Sequence, residues 1–217
     1  MTEAVVFDLD GVIVDSEQVW DEVREAYTRE TGGTYTATAA RDMMGMSSSE
    51  WSRYMAETLH VPGTPDEINA AVVERMLERY GEAPPLIPGA VDAVRRVAAC
   101  WPLGIASSSN PELIEVVVEA AGLGDVLAVA VSSQEVPRGK PAPDVYLEAA
   151  RRLGVEPARC GAVEDSQNGI RSAKAAGMRV VAIPNPHYPP DEEATALADV
   201  VLGSIAELQP EHLVSDP

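Results

Sequence analysis

The stretch that decides the fold is Val5-Val6-Phe7-Asp8-Leu9-Asp10-Gly11-Val12-Ile13. A short apolar run rich in β-branched and aromatic residues is typical of a parallel strand buried on both faces. This run carries two carboxylates, Asp8 and Asp10, onto a glycine turn, at the end of the strand where open α/β sheets hold their chemistry. Carboxylates crowded in this way repel each other, so they need a cation, a proton or a functional role.

The Asp-x-Asp-Gly pattern alone does not separate an active site from a turn, because Asp-Gly also ends many ordinary strands. Three later stretches add a hydroxyl group, a lysine and a second pair of carboxylates, in that order. Together with the first carboxylate pair these make four groups, and all except the lysine follow an apolar strand. Since parallel strands end at the same edge of a sheet, this order indicates one shared site. The stretches are Leu103-Gly104-Ile105-Ala106-Ser107-Ser108-Ser109-Asn110, Gly139-Lys140-Pro141-Ala142-Pro143-Asp144 and Cys160-Gly161-Ala162-Val163-Glu164-Asp165-Ser166.

With these stretches the chain resembles the haloacid-dehalogenase superfamily of hydrolases, in the branch that contains β-phosphoglucomutase and many small-molecule phosphatases. The matching segments are FDLDGVIVDS, IASSSN, GKPAPDVY and GAVEDSQNGIRSAKAAGM, and they span most of the chain from Ala4 to Pro184. The resemblance implies a phosphoric monoester hydrolase that uses Mg²⁺ and an aspartyl-phosphate intermediate. Its substrate would be a small phosphorylated metabolite.

The resemblance also implies roles for the matching residues in the transfer of the phosphoryl group. Asp8 would be the nucleophile, and Asp10 would protonate the leaving oxygen and later activate water. Ser107 and Lys140 would bind the phosphoryl group, with Ser108 as a helper.

By the same resemblance, four acidic residues would hold the magnesium ion. Its ligands would be the Asp8 side chain, the Asp10 backbone carbonyl and Asp165, with Glu164 bound directly or through water.

The order of apolar patterns predicts two structural parts. After residue 87 helical and strand patterns alternate, which predicts a doubly wound, mainly parallel α/β sheet of the Rossmann type. Residues 15–86 break this alternation with helical patterns over 16–31, 48–59 and 65–80 and no convincing strand, and Ser16 is expected to cap the first of these helices. We therefore expect a core formed by residues 1–14 and 87–217, with an all-helical cap, residues 15–86, that closes over the strand ends.

The chain has 217 residues and a formal net charge of −19, with 46% hydrophobic and 24% charged residues. This length allows one core, or a core with a small inserted domain. The negative charge argues against nucleic acid and anionic membranes as partners, so phosphate affinity must come from local groups and a metal. No stretch has the length of a membrane span and the first strand begins at once, so we expect a cytoplasmic protein. We also expect it to be a monomer.

Cysteine and histidine residues give no sign of a metal or redox site. The spacing of Cys100 and Cys160 matches no such motif, so we expect two reduced, buried thiols. His60, His187 and His212 lie far apart and are expected in loops or on the surface.

Within the superfamily, three departures from known patterns favour a phosphatase. Dehalogenases lack the second aspartate of the first motif, which is present here as Asp10. Phosphonate hydrolases use a cap lysine, and residues 15–86 contain none. The mutase branch carries a histidine twelve residues after the nucleophile and an arginine in the cap loop. Here these positions hold Trp20 and the loop Met44–Ser48.

A β-phosphoglucomutase-like sugar phosphomutase stays the main alternative. A receiver-like signalling module or a non-catalytic phosphate-binding module is more remote, because receiver domains have no helical insert after the first strand.

The cap offers several candidates for contact with substrate, each with an ordinary structural alternative. Aromatic and methionine side chains would line an apolar pocket or form the packing core of the cap. Arginines would meet a second substrate charge or form surface ion pairs, and Asn110 would contact substrate or cap a helix. The candidates are Trp20, Met44, Met46, Ser48, Trp51, Asn110, Arg24, Arg41 and Arg53.

Overall fold

A single parallel sheet of six strands forms the centre of the molecule in the computed structural model, which describes residues 1–214. The strands lie in the order β3-β2-β1-β4-β5-β6, and every pair of neighbours is parallel. This confirms the predicted α/β class. The strands are β1 (Ala4–Phe7), β2 (Leu103–Ser107), β3 (Leu127–Ser132), β4 (Cys160–Glu164), β5 (Arg179–Ala182) and β6 (Val200–Val201).

The strand order reverses at β1, which lies between β2 and β4. Ligands of doubly wound sheets bind at such a reversal, beyond the carboxyl ends of the strands. Side chains alternate along β1. Val5 and Phe7 belong to a first apolar cluster, and Ala4 and Val6 belong to a second one on the other face of the sheet. The strand is thus buried on both faces, as its unbroken apolar pattern predicts.

Five helices, α1 to α5, lie between β1 and β2 in the described part of the chain, and four more, α6 to α9, follow. The second apolar cluster is completed by α7 and α8, and the first by α5, α6 and side chains from α1, α3 and α4. The helices are α1 (Glu17–Glu30), α2 (Ala39–Met43), α3 (Ser48–Glu57), α4 (Pro65–Glu82), α5 (Ala90–Ala98), α6 (Pro111–Ala120), α7 (Asp144–Leu153), α8 (Gln167–Ala175) and α9 (Glu192–Thr195).

Local sequence signals fix several of these helix ends. Before α4, Thr64 and Glu67 form a reciprocal capping box and Pro65 occupies the first turn. After α7, Gly154 adopts the left-handed conformation that ends many helices. Helix α2 was not predicted, since it has only five residues and no side chain caps its start.

The first apolar cluster runs without interruption from the sheet into α1, α3 and α4. The division into a core, residues 1–14 and 87–217, and a cap, residues 15–86, stays a prediction. Among the described helices, none is long and apolar enough to cross a membrane.

The expectation of two buried thiols is wrong for one of them. Cys160 is buried at the start of β4, but Cys100 is exposed. Cys100 lies in the turn between α5 and β2, outside the helix and strand that pack into the core.

Candidate active site

Asp8 directly follows β1 and keeps its backbone in the sheet. Its N–H donates to the carbonyl of Val163 over 2.9 Å, which continues the ladder with β4. The Leu9 N–H donates to Asp8 Oδ1 over 2.7 Å and fixes the carboxylate. With 6% of its surface exposed, Asp8 lies almost completely inside the protein at the strand end.

Gly11 allows the chain to turn tightly beneath this carboxylate. Its φ of +74° is a conformation that favours glycine. A Cβ atom at this position would lie 1.9 Å from Oδ2 of Asp165, so the turn also brings the first carboxylate motif against the second.

Four side chains donate hydrogen bonds to the Asp10 carboxylate. On Oδ1 the donors are Ser16 Oγ at 2.5 Å and Trp20 Nε1 at 3.4 Å. On Oδ2 they are Ser109 Oγ at 2.7 Å and Ser107 Oγ at 3.3 Å. Asp10 is therefore held in one orientation from both the helical side and the β2 side.

Ser107 and Ser108, at the end of β2, differ in their contacts. Ser107 is fully buried, and its Oγ also accepts from the Ser109 N–H over 2.9 Å. Ser108 lines the cavity above the strand ends, and its buried hydroxyl has no hydrogen-bond partner among the described residues. A buried hydroxyl without a partner is costly, so Ser108 is suited to a ligand oxygen.

Lys140 places a positive charge among the carboxylates. Its Nζ lies 3.0 Å from Asp8 Oδ1 and 2.6 Å from Glu164 Oε1, and only 3% of the residue is exposed. Burial alone would lower the pKa of Lys140, but the Asp8 and Glu164 carboxylates outweigh burial and raise it. The lysine is therefore charged in this site.

Glu164 ends β4 and is completely buried. Its Oε1 also accepts from the Tyr146 hydroxyl over 2.7 Å. Its Oε2 accepts from the N–H groups of Asp165 and Ser166 over 3.1 and 3.3 Å. Gly169 makes room for this carboxylate, because a Cβ there would lie 1.9 Å from it.

Asp8, Glu164 and Asp165 bring one carboxylate oxygen each to within 4.8 Å of one another, and all three residues are buried. Burial first, and then repulsion from Glu164, raise the pKa of both Asp8 and Asp165 well above the usual range. A bound cation would remove this penalty. Buried oxygen ligands clustered in this way are the kind that a hard divalent cation prefers, so these residues fit a metal such as Mg²⁺.

The cavity above these groups is lined on the helical side by apolar and charged side chains. Five of the nine candidates from the sequence line it together with Glu17, namely Trp20, Arg24, Met44, Met46 and Trp51. The other four, Ser48, Asn110, Arg41 and Arg53, are not among the residues that line this cavity. Ser48 and Asn110 contact each other instead, Ser48 Oγ donating to Asn110 Oδ1 over 2.8 Å.

Sequence reasoning missed several residues of this site. Ser109 was overlooked beside Ser107 and Ser108, and Ser16 was expected only as the cap of α1, whereas its hydroxyl goes to Asp10. Glu17 was overlooked as well, although the spacing of Glu17, Trp20 and Arg24 along α1 puts them on one face. That spacing was the available signal. For Ser109 the sequence holds none beyond its neighbours.

Comparisons with known proteins agree with this geometry. The model of the haloacid dehalogenase-like hydrolase family matches residues 2–177. A probable pseudouridine-5'-phosphatase of Drosophila melanogaster is 34% identical over 216 residues, covering 95% of this chain and 91% of that protein. Hexitol phosphatase B of Escherichia coli K12 is 34% identical over 220 residues, covering 97% and 96%. The crystal structure of CbbY from Rhodobacter sphaeroides with phosphate superposes with a TM-score of 0.85 at 28% identity, covering 98% of this chain and 99% of that one.

Proposed function

The chain belongs to the haloacid dehalogenase-like hydrolase family and is a phosphatase, and from this premise we propose that it hydrolyses a small phosphorylated metabolite with Mg²⁺ through an aspartyl-phosphate intermediate. One observation carries the proposal. The buried carboxylate of Asp8 is paired with Lys140 and lies beside Glu164 and Asp165, next to a cavity.

Phosphate monoesters are very slow to hydrolyse, and enzymes accelerate the reaction by up to about 10²¹-fold. Positioning of the nucleophile and neutralisation of the phosphoryl oxygens supply most of this effect. In the proposed mechanism Asp8 attacks phosphorus. The Leu9 N–H and Lys140 both contact Oδ1, so we assign the attack to Oδ2.

Asp10 moves the protons. As the bond between phosphorus and the ester oxygen breaks, a proton from Asp10 goes to the leaving oxygen. In the second half, Asp10 takes a proton from water, whose oxygen attacks phosphorus and frees both Asp8 and inorganic phosphate. The donors Ser16, Ser107 and Ser109 support this role because they hold the Asp10 carboxylate in place.

The phosphoryl oxygens would be held by Ser107, Ser108 and Lys140. Magnesium, held by Asp8, Asp165, the Asp10 carbonyl and Glu164, would supply positive charge to these oxygens when bound. The unpartnered hydroxyl of Ser108 is one donor that the protein itself leaves unused.

Trp20 favours a phosphatase over a mutase. It occupies the place of the histidine that the resemblance expects in a mutase, and its indole N–H lies 3.4 Å from Asp10 Oδ1. A mutase must delay water at its aspartyl-phosphate and hold a sugar phosphate in two orientations. Here the cap loop supplies Met46 and Ser48 in place of the expected arginine. We also propose that the protein is cytoplasmic and acts as a monomer.

The test is release of inorganic phosphate from p-nitrophenyl phosphate and from a panel of sugar, polyol and nucleotide monophosphates. We expect turnover with Mg²⁺, none in excess chelator, and none in the Asp8→Asn variant, whose near-native melting temperature serves as the control. Retention of a tenth of the wild-type rate by Asp8→Asn, or full activity in chelator, would contradict the mechanism. Conversion of β-glucose 1-phosphate to glucose 6-phosphate faster than phosphate release would favour the mutase.

A further inference from the structure

Arg24 is a buried arginine inside the candidate active-site cavity. It lies on α1, is 7% exposed, and lines the same cavity as Asp8 and Lys140. Among the side chains that the structure describes, its Nε finds no hydrogen-bond partner. No carboxylate oxygen of those side chains lies within 4.0 Å of its guanidinium nitrogens.

Two tryptophans hold the guanidinium in position. Its Cζ lies 4.5 Å from the ring centroid of Trp20 and 4.9 Å from that of Trp51. Such contacts stabilise a cation through the ring faces. The N–H donors of arginine lie in the guanidinium plane, however, and still need acceptor atoms. The rings therefore orient Arg24 without satisfying its donors.

A buried charge without a counter-ion is costly, and arginine does not escape the cost by losing its proton. Glu17 lies two helical turns earlier on the same face and also lines the cavity, but it forms no ion pair with Arg24 within 4.0 Å. The described side chains therefore leave Arg24 without an acceptor, and Arg24 lines the cavity where the substrate would bind.

We propose that Arg24 recognises the end of the substrate opposite to the phosphoryl group that is transferred, and that this end carries an anionic oxygen. The anionic group is a carboxylate or a second phosphate, either of which matches the guanidinium fork. Glu17 on the same wall would accept a hydrogen bond from a hydroxyl group between the two ends. The substrate class is a small hydroxylated phosphate ester with a second anionic group. This inference rests on the proposed function.

The test compares pairs of substrates that differ only at the far end. Glycerol 3-phosphate and 3-phosphoglycerate differ by a carboxylate, and fructose 6-phosphate and fructose 1,6-bisphosphate differ by a second phosphate. The two pairs also differ in length, which samples two distances from the nucleophile. The variants are Arg24→Gln and the control Arg53→Gln, because Arg53 is exposed on α3 and does not line the cavity.

In at least one pair we expect the wild-type protein to prefer the anionic member by about tenfold or more in kcat/KM. Arg24→Gln should lower kcat/KM for that member by about 10- to 100-fold, mainly through KM, with the neutral member changed by less than about threefold. Arg53→Gln should change neither. The preference is a ratio within one sample, so it does not depend on the folded fraction.

A wild-type preference for the neutral member of both pairs would overturn the proposal, as would an equal loss on both members in Arg24→Gln. If Arg24→Gln does not fold, Arg24→Lys replaces it. The preference should then fall because a point charge cannot replace the fork, and an unchanged preference counts against the proposal.

Hydrolysis of p-nitrophenyl phosphate distinguishes a failure of the role of Arg24 from a failure of the proposed function. If it is hydrolysed and the preference is absent, only the role of Arg24 fails. If nothing is hydrolysed, the proposed function fails.

Discussion

The ammonium group of Lys140 lies 3.0 Å from Oδ1 of Asp8, and both residues are more than nine-tenths buried. The same nitrogen is 2.6 Å from Glu164 Oε1, so one cation holds two carboxylates that would otherwise repel each other. Glu164 in turn is fixed by Tyr146 and by backbone N–H groups, which anchor the lysine to β4. The position of Lys140 thus follows from the carboxylates it neutralises.

Replacing Lys140 with alanine should lower kcat by about 10²- to 10³-fold, the usual loss for one electrostatic stabiliser in a site that excludes water. It should also raise the pKa of Asp8 further, because the variant removes the positive neighbour that opposes burial and Glu164. Phosphate release measured across pH reports both effects. Lys174→Ala is the matched control, since Lys174 pairs with Asp199 outside the cavity. Equal rates in the two variants would exclude Lys140 from the reaction.

Ser109→Ala should slow hydrolysis of alkyl phosphates more than that of p-nitrophenyl phosphate. The variant removes the 2.7 Å donor from Asp10 Oδ2, and a poor leaving group depends most on a correctly placed acid. We expect about a tenfold lower kcat for the alkyl ester with KM little changed.

The neighbouring variant, Ser108→Ala, is the comparison for Ser109→Ala. Since the Ser108 hydroxyl is free to bind a phosphoryl oxygen, its loss should raise KM for both kinds of ester alike. If Ser109→Ala slows both esters by the same factor, the serine does not act through Asp10.

Three of the motifs could be predicted from sequence because each is contiguous and follows an apolar strand. Parallel strands bring their carboxyl ends together, so Asp8, Ser107 and Glu164 meet without further information. Lys140 lies in the loop between β3 and α7, and only the resemblance predicts its place in the site. The contact between Ser48 and Asn110 could not be predicted, since it joins the start of α3 to the loop after β2. Each residue was interpreted from its local surroundings, which say nothing about a partner elsewhere in the chain.

The same limit explains the donors to Asp10. Ser16 stands at the start of α1, where a serine normally caps the helix, but its side chain makes no cap bond there. The backbone of Ser16 is helical, whereas a capping serine is normally extended, and its hydroxyl donates to the Asp10 carboxylate over 2.5 Å. Tertiary contacts therefore override a local preference, and no pattern of neighbouring residues reveals it.

Gly11→Ala should destabilise the protein and weaken its response to magnesium. A φ of +74° strains any side-chain residue, and the new Cβ would press against the buried carboxylate of Asp165. We expect a loss of about 1–3 kcal/mol in the free energy of unfolding, measured with urea. The increase in stability on addition of MgCl₂ should also shrink.

Gly122→Ala separates strain from the clash, since Gly122 also has a positive φ, +61°, but no atom within 4 Å of the added Cβ. This variant should lose stability and keep the full magnesium response. A full response in Gly11→Ala as well would show that the turn does not position the metal ligands.

The stability of the chelated protein should fall as pH rises, and the effect of magnesium should grow. Folding raises the pKa of Asp8 and Asp165 above the ordinary value of 3.8, because burial and Glu164 disfavour their charged forms. The folded state then binds more protons than the unfolded state, so this contribution is complete below about pH 4 and is lost as pH rises through the raised values. Glu17 acts in the same direction between pH 4.5 and about 7, because burial and Asp10 raise its pKa to about 7.

Magnesium needs ionised carboxylates and so competes with these protons. Melting temperatures measured from pH 5 to 8 in EDTA and in MgCl₂ should diverge as pH increases. Asp165→Asn should make the melting temperature in EDTA less dependent on pH. It should also remove most of the gap between the melting temperatures in MgCl₂ and in EDTA, because it removes one carboxylate from the cluster. Glu17→Gln should flatten the curve only below about pH 7 and leave the gap open, since Glu17 is not in the cluster. A gap that stays constant with pH, or narrows, would mean that the cation does not bind at Asp8, Glu164 and Asp165.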